Sequence, residues 1–221
     1  MYICGMNNVQ TQGESSFHPA IRIAAKAISY IFHPLFVPVY LGWFFVRVLR
    51  LFSALDDWHQ SLLLVQFFVN YTLLPLVTVL IAKGVGFIDT IYLKTQRDRI
   101  IPYIAVMIFY FWVWYVFRTQ GFPKEAILFA LAAFLSVCFG VFVNTFFKVS
   151  MHALSMGVIV TLLLILSLKG DTNYGPYVSI GLFIAGLVCT ARLINNDHRP
   201  FDVYAGLFLG ALAQVIAWLF V

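Results

Sequence analysis

Seven long runs without a charged residue dominate the sequence. Each is close to the roughly 20 residues that a helix needs to cross the hydrocarbon core of a bilayer. The core offers no water to backbone N–H and C=O groups, so each run is expected to be helical. The runs are Ala27–Val46, Gln60–Ala82, Ile100–Phe117, Ala126–Phe147, Val149–Leu168, Thr172–Ala191 and Val203–Val221. The sequence therefore predicts an all-α, polytopic transmembrane bundle of about seven spans, with residues 1–221 forming a single membrane-embedded domain.

The composition supports a multi-pass integral membrane protein. Hydrophobic residues make up 62% and charged residues 10% of the chain, whereas soluble domains have about 45–50% and 25%. The net charge of +5 comes from basic residues scattered singly between apolar runs, so no nucleic-acid partner is expected, and no obligate protein partner is evident. Residues 1–23 form a predicted polar tail, and residues 1–20 have no apolar run typical of a cleavable signal peptide.

Two of the runs carry helix-breaking or polar residues. His33-Pro34 and Pro38 should kink the first run or delay its start, and Asn70 and Pro75 interrupt the second. The favoured interpretation is a kinked helix whose polar groups bond to neighbours, so His33 is only a minor functional candidate.

Polar residues collect on one predicted side of the membrane. If all seven runs cross, the connections alternate between the two sides. One side then holds the N-terminus and the connections at 83–99, 148–150 and 192–202. That side gathers most of the reactive side chains: Lys94, Arg97, Arg99, Lys148, Ser150, His152, Arg192, His198, Arg199 and Asp202. The pattern predicts a polar site at one membrane surface that is rich in cations and histidine.

The segment from Arg192 to Asp202 contains Arg, five residues, His, three residues and Asp. Pro200 favours the first turn of a helix, so His198 and Asp202 should share one helical face. A carboxylate beside an imidazole fixes its tautomer and stabilises its protonated form. An arginine can bind two phosphate oxygens at once, and the N-terminus of a helix adds N–H donors.

Two further sequence segments lie on the same predicted side of the membrane. Lys148-Val-Ser150-Met-His152 falls where one span ends and the next begins, so Ser150 is a predicted N-cap and His152 lies in the first turn. Three cations, Lys94, Arg97 and Arg99, precede the third span and suit an anionic headgroup.

These three segments resemble the motifs of the type 2 phosphatidic acid phosphatase (PAP2) superfamily. The family's third motif, Ser-Arg-x5-His-x3-Asp, is matched by Arg192, His198 and Asp202, with Ala191 in place of the serine. The second motif, Pro-Ser-Gly-His, keeps Ser150 and His152. In the first, Lys-x6-Arg-Pro, the lysine and proline are in register as Lys94 and Pro102.

The first motif departs from the family pattern at Ile101, which occupies the arginine position. Arg99 or Arg97, reaching the same phosphate oxygens from a shifted helix, is the expected substitute, and Lys148 is a further candidate. The resemblance covers residues 94–210, and the first two spans match nothing in it. Two apolar runs separate the first and second motifs here. The alternative to seven crossings is that these two runs form a re-entrant pair or lie partly outside the core, which gives fewer spans. Six spans plus a re-entrant or extra segment is the expected count in that case.

The resemblance implies a metal-independent lipid phosphatase with a phosphohistidine intermediate. His198 would attack phosphorus, Asp202 would orient and charge it, and His152 would protonate the leaving alkoxide and then activate water. The residues expected to hold phosphate oxygens are Lys94, Arg99, Ser150 and Arg192, with Arg97 and Lys148 as additional candidates. A two-metal site needs a cage of carboxylates. The acids near this site lie among many cations, so neither a metal nor another cofactor is expected.

Several alternatives stay open. Asn196-Asp197 resembles part of the aspartate-rich motifs of membrane prenyltransferases, but few acids follow it. A lipid phosphotransferase of the same superfamily and a non-catalytic lipid-binding or transport protein also compete. The substrate that the resemblance implies is a lipid phosphomonoester or an isoprenyl or other lipid diphosphate. The expected location is the cytoplasmic (inner) membrane. The resemblance favours a site on the extracytoplasmic face, whereas Arg22 and Lys26 favour the cytoplasmic face.

Overall fold

The computed structural model of the protein describes residues 17–88, 100–168 and 173–221. Within these ranges every regular element is a helix. The helices are α1 (Pro19–Ile31), α2 (Val37–Trp43, continued by a π-helical turn Phe44–Val48), α3 (Asp57–Phe68, continued by a π-helical turn Val69–Leu73), α4 (Leu74–Gly84), α5 (Ile100–Thr119), α6 (Lys124–Asn144), α7 (Met151–Leu168), α8 (Gly175–Ile194) and α9 (Pro200–Phe220). The all-α fold class predicted from the sequence is confirmed.

Six helical stretches of the described chain are long and apolar enough to cross a membrane. They are 57–84 (α3 with α4), α5, α6, α7, α8 and α9, and the shorter apolar helix Val37–Val48 precedes them. Those 12 residues rise only about 18 Å at 1.5 Å per residue, less than the roughly 30 Å hydrocarbon core. The prediction of about seven apolar segments is confirmed, and the first of them is the short one.

The first apolar run is broken where the sequence places His33-Pro34. Proline lacks an N–H and disfavours helical geometry in the residue before it, and residues 32–36 form the turn that separates α1 from α2. α1 begins at Pro19, within the segment expected to be a polar tail. Pro19 is suited to the first helical position, and the apolar Ile21 and Ile23 follow it in the helix.

The second interrupted run stays helical because one of its turns is a wider, π-helical turn. The π-helical turn Val69–Leu73 immediately precedes Pro75. A wider turn relieves the missing N–H and the ring clash that proline causes in an α-helix. The Asn70 side chain donates to the Gln66 carbonyl at 2.9 Å, so this amide is satisfied within its own helical stretch.

Glycines bring α7 and α9 into close contact. A Cβ atom added at Gly210 would lie 2.0 Å from the Leu154 carbonyl oxygen, and one at Gly157 would lie 2.2 Å from the Leu207 carbonyl oxygen. Gly206 and Gly210 are four residues apart, the small-residue spacing that lets membrane helices approach backbone to backbone. This contact sets the start of α7 directly against the start of α9.

An aromatic cluster fills the interior between α2, α3, α5 and α6. The rings of Tyr71 and Tyr110 are 4.7 Å apart at their centroids, and Phe129 packs against both Tyr71 and Phe45 at about 6 Å. All four side chains are buried. The Phe52 and Phe122 rings, from the connections after α2 and α5, also meet, at 5.4 Å. These two connections therefore share one end of the bundle, as the predicted alternation requires.

Candidate functional site

His198 and Asp202 lie together at the start of α9. Pro200 occupies the first turn of this helix, as predicted. The distance from His198 Nδ1 to Asp202 Oδ2 is 3.7 Å, and the two side chains are only 4% and 12% exposed. That distance is longer than a hydrogen bond but close enough for strong attraction between a carboxylate and an imidazolium. The same Oδ2 accepts the backbone N–H of Arg199 at 3.0 Å, so Asp202 also caps its helix.

Arg192 projects from the last turn of α8 and forms an ion pair with Asp197. Arg192 Nη2 lies 2.9 Å from Asp197 Oδ2, and the arginine side chain is 13% exposed. Lys148 Nζ donates to the Asp197 carbonyl at 3.4 Å. Lys148 and Arg192, which the sequence places in two separate segments, are therefore brought to the same loop.

The turn between α8 and α9 explains the Asn196-Asp197 pair. Asn196 has φ 55°, a left-handed conformation that asparagine tolerates better than most residues. It follows the C-cap residue Asn195, the usual place for such a helix-ending residue. Asp197 is engaged by Arg192. Both residues therefore have structural roles, which weakens the resemblance to a prenyltransferase motif.

Ser150 connects the second motif to the third. It is fully buried, its backbone N–H donates to the Asp202 carbonyl at 3.1 Å, and its Oγ accepts the backbone N–H of Ala153 at 3.5 Å. The hydroxyl therefore caps α7, as the sequence predicted. Its predicted contact with a phosphate oxygen stays a prediction.

His152 is held by the N-terminal part of the chain. Its Nε2 atom lies 3.0 Å from the Ser29 carbonyl oxygen at the end of α1. The Asn195 side chain donates to Ser29 Oγ at 3.4 Å, which ties the same point of α1 to the end of α8. A carbonyl only accepts, so the His152 proton in this contact is on Nε2. Sequence reasoning missed this anchor because a backbone carbonyl leaves no signature in residue types.

His33 is the second residue from the N-terminal part that reaches the site. Its ring meets the His152 ring edge to face, with centroids 5.3 Å apart and planes at 87°. The only sequence signal was its position beside Pro34 within an otherwise apolar run. That signal marked an interruption of the helix but gave no indication that the turn lies beside His152.

Four of these side chains line one end of a cavity of about 260 Å³. Its polar end is formed by His33, His152, Arg192 and His198, and its wall continues along α4, α5 and α6 to Tyr110 and Phe129. Most of the wall is apolar, with residues such as Pro75, Val79, Pro102, Val106, Ala133, Val137 and Leu154. The cavity therefore joins a cationic, histidine-rich end to an apolar interior.

The cations predicted from the first motif, Lys94, Arg97 and Arg99, lie outside the described residues. The adjoining first turn of α5 is described. Pro102 and Tyr103 belong to the cavity wall, while Ile101, at the family's arginine position, is 36% exposed. The turn that follows the first-motif cations therefore borders the same cavity as the second and third motifs.

A comparison with known protein families identifies the C-terminal part of the chain. Residues 141–221 match the PAP2 superfamily. The resemblance seen in the motifs is confirmed over this region, which contains Ser150, His152, Arg192, His198 and Asp202. The similarity to this phosphatase-related superfamily therefore applies to the C-terminal part of the chain, while the six long apolar helices make the described chain that of a multi-pass membrane protein. No curated protein and no solved structure shows a significant match to the chain.

The region matched to the PAP2 superfamily covers α7, α8 and α9 with the end of α6. The first motif, with Lys94 and Pro102, lies before it, and so do His33 and Ser29. The site is thus assembled from a PAP2-like C-terminal part and an N-terminal part that the family match does not include.

Proposed function

We propose that the protein is a membrane lipid phosphate phosphatase that works through a phosphohistidine and without a metal. The observation that carries the proposal is the convergence of His152, Arg192 and His198 at the polar end of one cavity whose remaining wall is apolar. A phosphorylated lipid has the matching division into an anionic headgroup and an apolar tail. The proposed substrate is therefore a lipid phosphomonoester or diphosphate whose phosphoryl group meets the histidines.

The first step is attack by His198. Its Nδ1 atom faces Asp202, so Nε2 is the atom assigned to nucleophilic attack on phosphorus. A P–N bond forms as the bond between phosphorus and the lipid oxygen breaks. The imidazole becomes positively charged in this step, and the nearby Asp202 carboxylate stabilises that charge. Arg192 stabilises the charge that develops on the phosphoryl oxygens.

His152 is assigned the proton transfers. Because Nε2 already donates to the Ser29 carbonyl, Nδ1 is the nitrogen that serves the substrate. Protonated Nδ1 gives its proton to the leaving lipid oxygen, and neutral Nδ1 then takes a proton from water. The resulting hydroxide attacks the phosphohistidine, the P–N bond breaks, and inorganic phosphate and free His198 are released.

The test is phosphate release by the full-length chain in detergent, on a panel of lipid phosphates, with EDTA present. We expect turnover in EDTA and a loss of several orders of magnitude in His198→Ala. His59→Ala is the matched control, because His59 lies in α3, outside the cavity wall, and is exposed beside Asp56. Activity lost in EDTA and restored by Mg²⁺ would contradict the metal-independent mechanism.

Phosphoryl transfer to a second alcohol is the competing function, and the burial of His198 favours it. The His198 side chain is 4% exposed, and shielding a phosphohistidine from water lengthens its life for another acceptor. Adding a lipid alcohol to the assay separates the two functions. Hydrolysis gives inorganic phosphate whether or not the alcohol is present, whereas a transferase gives a phosphorylated alcohol and little free phosphate.

A further inference from the structure

His33 is fixed in a defined turn between α1 and α2. Its carbonyl accepts the backbone N–H of Phe36 at 2.8 Å and that of Val37 at 3.2 Å, while its own N–H donates to the Tyr30 carbonyl at 3.3 Å. Pro34 restricts the backbone on the other side. The ring therefore projects from a rigid support, which is what a binding group needs.

The His33 ring belongs to the polar end of the cavity. It lines the cavity together with His152, Arg192 and His198, and its centroid is 5.3 Å from that of His152. A phosphoryl group positioned for attack by His198 and for proton transfer from His152 would therefore lie beside His33.

The tautomer of His33 follows from its hydrogen bond. The backbone N–H of Leu35 donates to Nδ1 at 3.3 Å, so Nδ1 is an acceptor and the ring proton is on Nε2. Burial, and then the positive charge of Arg192, hold the pKa of His33 below its usual value. The ring is therefore neutral near pH 7 and offers one N–H donor.

We infer that His33 is a third histidine of the site and that its Nε2–H donates to a phosphoryl oxygen of the substrate. This inference rests on the proposed function. It assigns a substrate contact to a segment outside the region matched to the PAP2 superfamily. It also supplies a donor at a site whose first motif has Ile101 in place of arginine.

Two substitutions separate a donor from a packing residue. His33→Gln keeps an N–H donor but loses the aromatic edge against His152. His33→Phe keeps the aromatic ring but has no donor. If His33 donates a hydrogen bond to the phosphoryl group, His33→Phe should lower kcat/KM about tenfold or more, while His33→Gln should retain most of the activity. If His33 only packs against His152, His33→Phe should retain more kcat/KM than His33→Gln, and that result would overturn the inference.

Phosphate binding gives a readout that does not depend on turnover. Inorganic phosphate is titrated into the purified full-length protein by calorimetry, with His59→Phe as the control for the loss of a histidine outside the site. We expect the Kd for phosphate to rise about tenfold in His33→Phe and to change little in His33→Gln and His59→Phe. An unchanged Kd in His33→Phe would overturn the inference.

The two measurements distinguish the inference from the function on which it rests. If the unmodified protein releases no phosphate from any lipid, the proposed hydrolysis fails, and the titration still decides whether His33 contacts phosphate. If the unmodified protein is active and His33→Phe matches it in kcat/KM and in Kd, the hydrolysis stands and the role of His33 is refuted.

Discussion

The backbone N–H of Ser150 donates to the carbonyl oxygen of Asp202 across 3.1 Å, which joins the first turns of α7 and α9. Through this bond Ser150, the residue before α7, is held against the backbone of Asp202, whose carboxylate faces His198. The bond depends on how closely the two helices approach, and that approach depends on glycines deeper in the membrane segment. Site geometry and helix packing are therefore coupled along the α7–α9 contact.

Gly210→Ala should destabilise the protein and lower its activity. The added Cβ would lie 2.0 Å from the Leu154 carbonyl oxygen and 2.9 Å from the Val158 nitrogen, so α7 and α9 must separate. Overpacking of this kind costs about 1–3 kcal/mol or more. Thermal unfolding in detergent measures the stability, and phosphate release measures the effect on the site.

Gly186→Ala in α8 is the matched control for the glycine prediction. A Cβ at Gly186 would meet nothing within 4 Å, so the same substitution should be neutral or slightly stabilising, since alanine favours a helix by up to about 1 kcal/mol over glycine. Equal melting temperatures for the two variants would show that the close contact does not limit stability.

The two histidines proposed to be catalytic should respond differently to the leaving group. His152→Ala removes the proposed acid while leaving the nucleophile, so an aryl phosphate, whose leaving group needs little protonation, should recover much of the lost rate. His198→Ala removes the nucleophile and should recover little with either substrate. Rates on an alkyl lipid phosphate and on an aryl phosphate are compared for both variants. Equal losses on both substrates would contradict the acid role of His152.

Much of the fold could be predicted from charge-free runs, because the bilayer imposes helix length and internal hydrogen bonding. The break at His33-Pro34 and the distortion before Pro75 followed from the missing proline N–H. The sequence left open whether His33-Pro34 and Pro38 kink the first run or delay its start, and the structure shows the delayed start at Val37. Periodicity alone does not show where such a run leaves the membrane.

The site was predictable where its geometry is local in sequence. The spacing of His198 and Asp202 and the cap at Ser150 are determined by single helical turns, and the structure shows both. The contacts of His152 with Ser29 and His33 join segments far apart in the chain. They depend on how α1 and α2 pack against α7 and α8, which no local pattern contains. The ion pair of Arg192 with Asp197 was also missed, since the sequence assigned Arg192 to phosphate alone.

The ion pair gives a prediction about phosphate affinity. Asp197 places a negative charge 2.9 Å from Arg192 Nη2, where it competes with an anionic ligand for the guanidinium. Asp197→Asn removes this charge, so inorganic phosphate should inhibit more strongly, with Ki lowered about threefold or more. Arg192→Ala should raise Ki by at least about tenfold, since charge-assisted hydrogen bonds contribute about 1.5–3 kcal/mol. A higher Ki in Asp197→Asn would mean that the carboxylate positions Arg192 for phosphate.

The last prediction concerns the cations of the first motif. Each well-placed donor to the transferred phosphoryl group contributes roughly 2–4 kcal/mol, and Ile101 provides none. Arg99 and Pro102 are three residues apart and would share one helical face if α5 continued upstream, and Pro102 belongs to the cavity wall. Arg99→Ala should therefore lower turnover at least about tenfold, comparably to Lys94→Ala.

Arg97 provides the internal comparison, because it is five residues from Pro102 and should point elsewhere. Arg97→Ala is expected to cost less than either of the other two changes when all three are measured on one lipid phosphate. If Arg97→Ala abolishes turnover and Arg99→Ala leaves it unchanged, then Arg99 does not share the helical face of Pro102. If all three variants keep full turnover, the first motif makes no contribution. The phosphoryl charge is then balanced by Arg192 and by Lys148, whose ammonium group reaches the same loop through the Asp197 carbonyl.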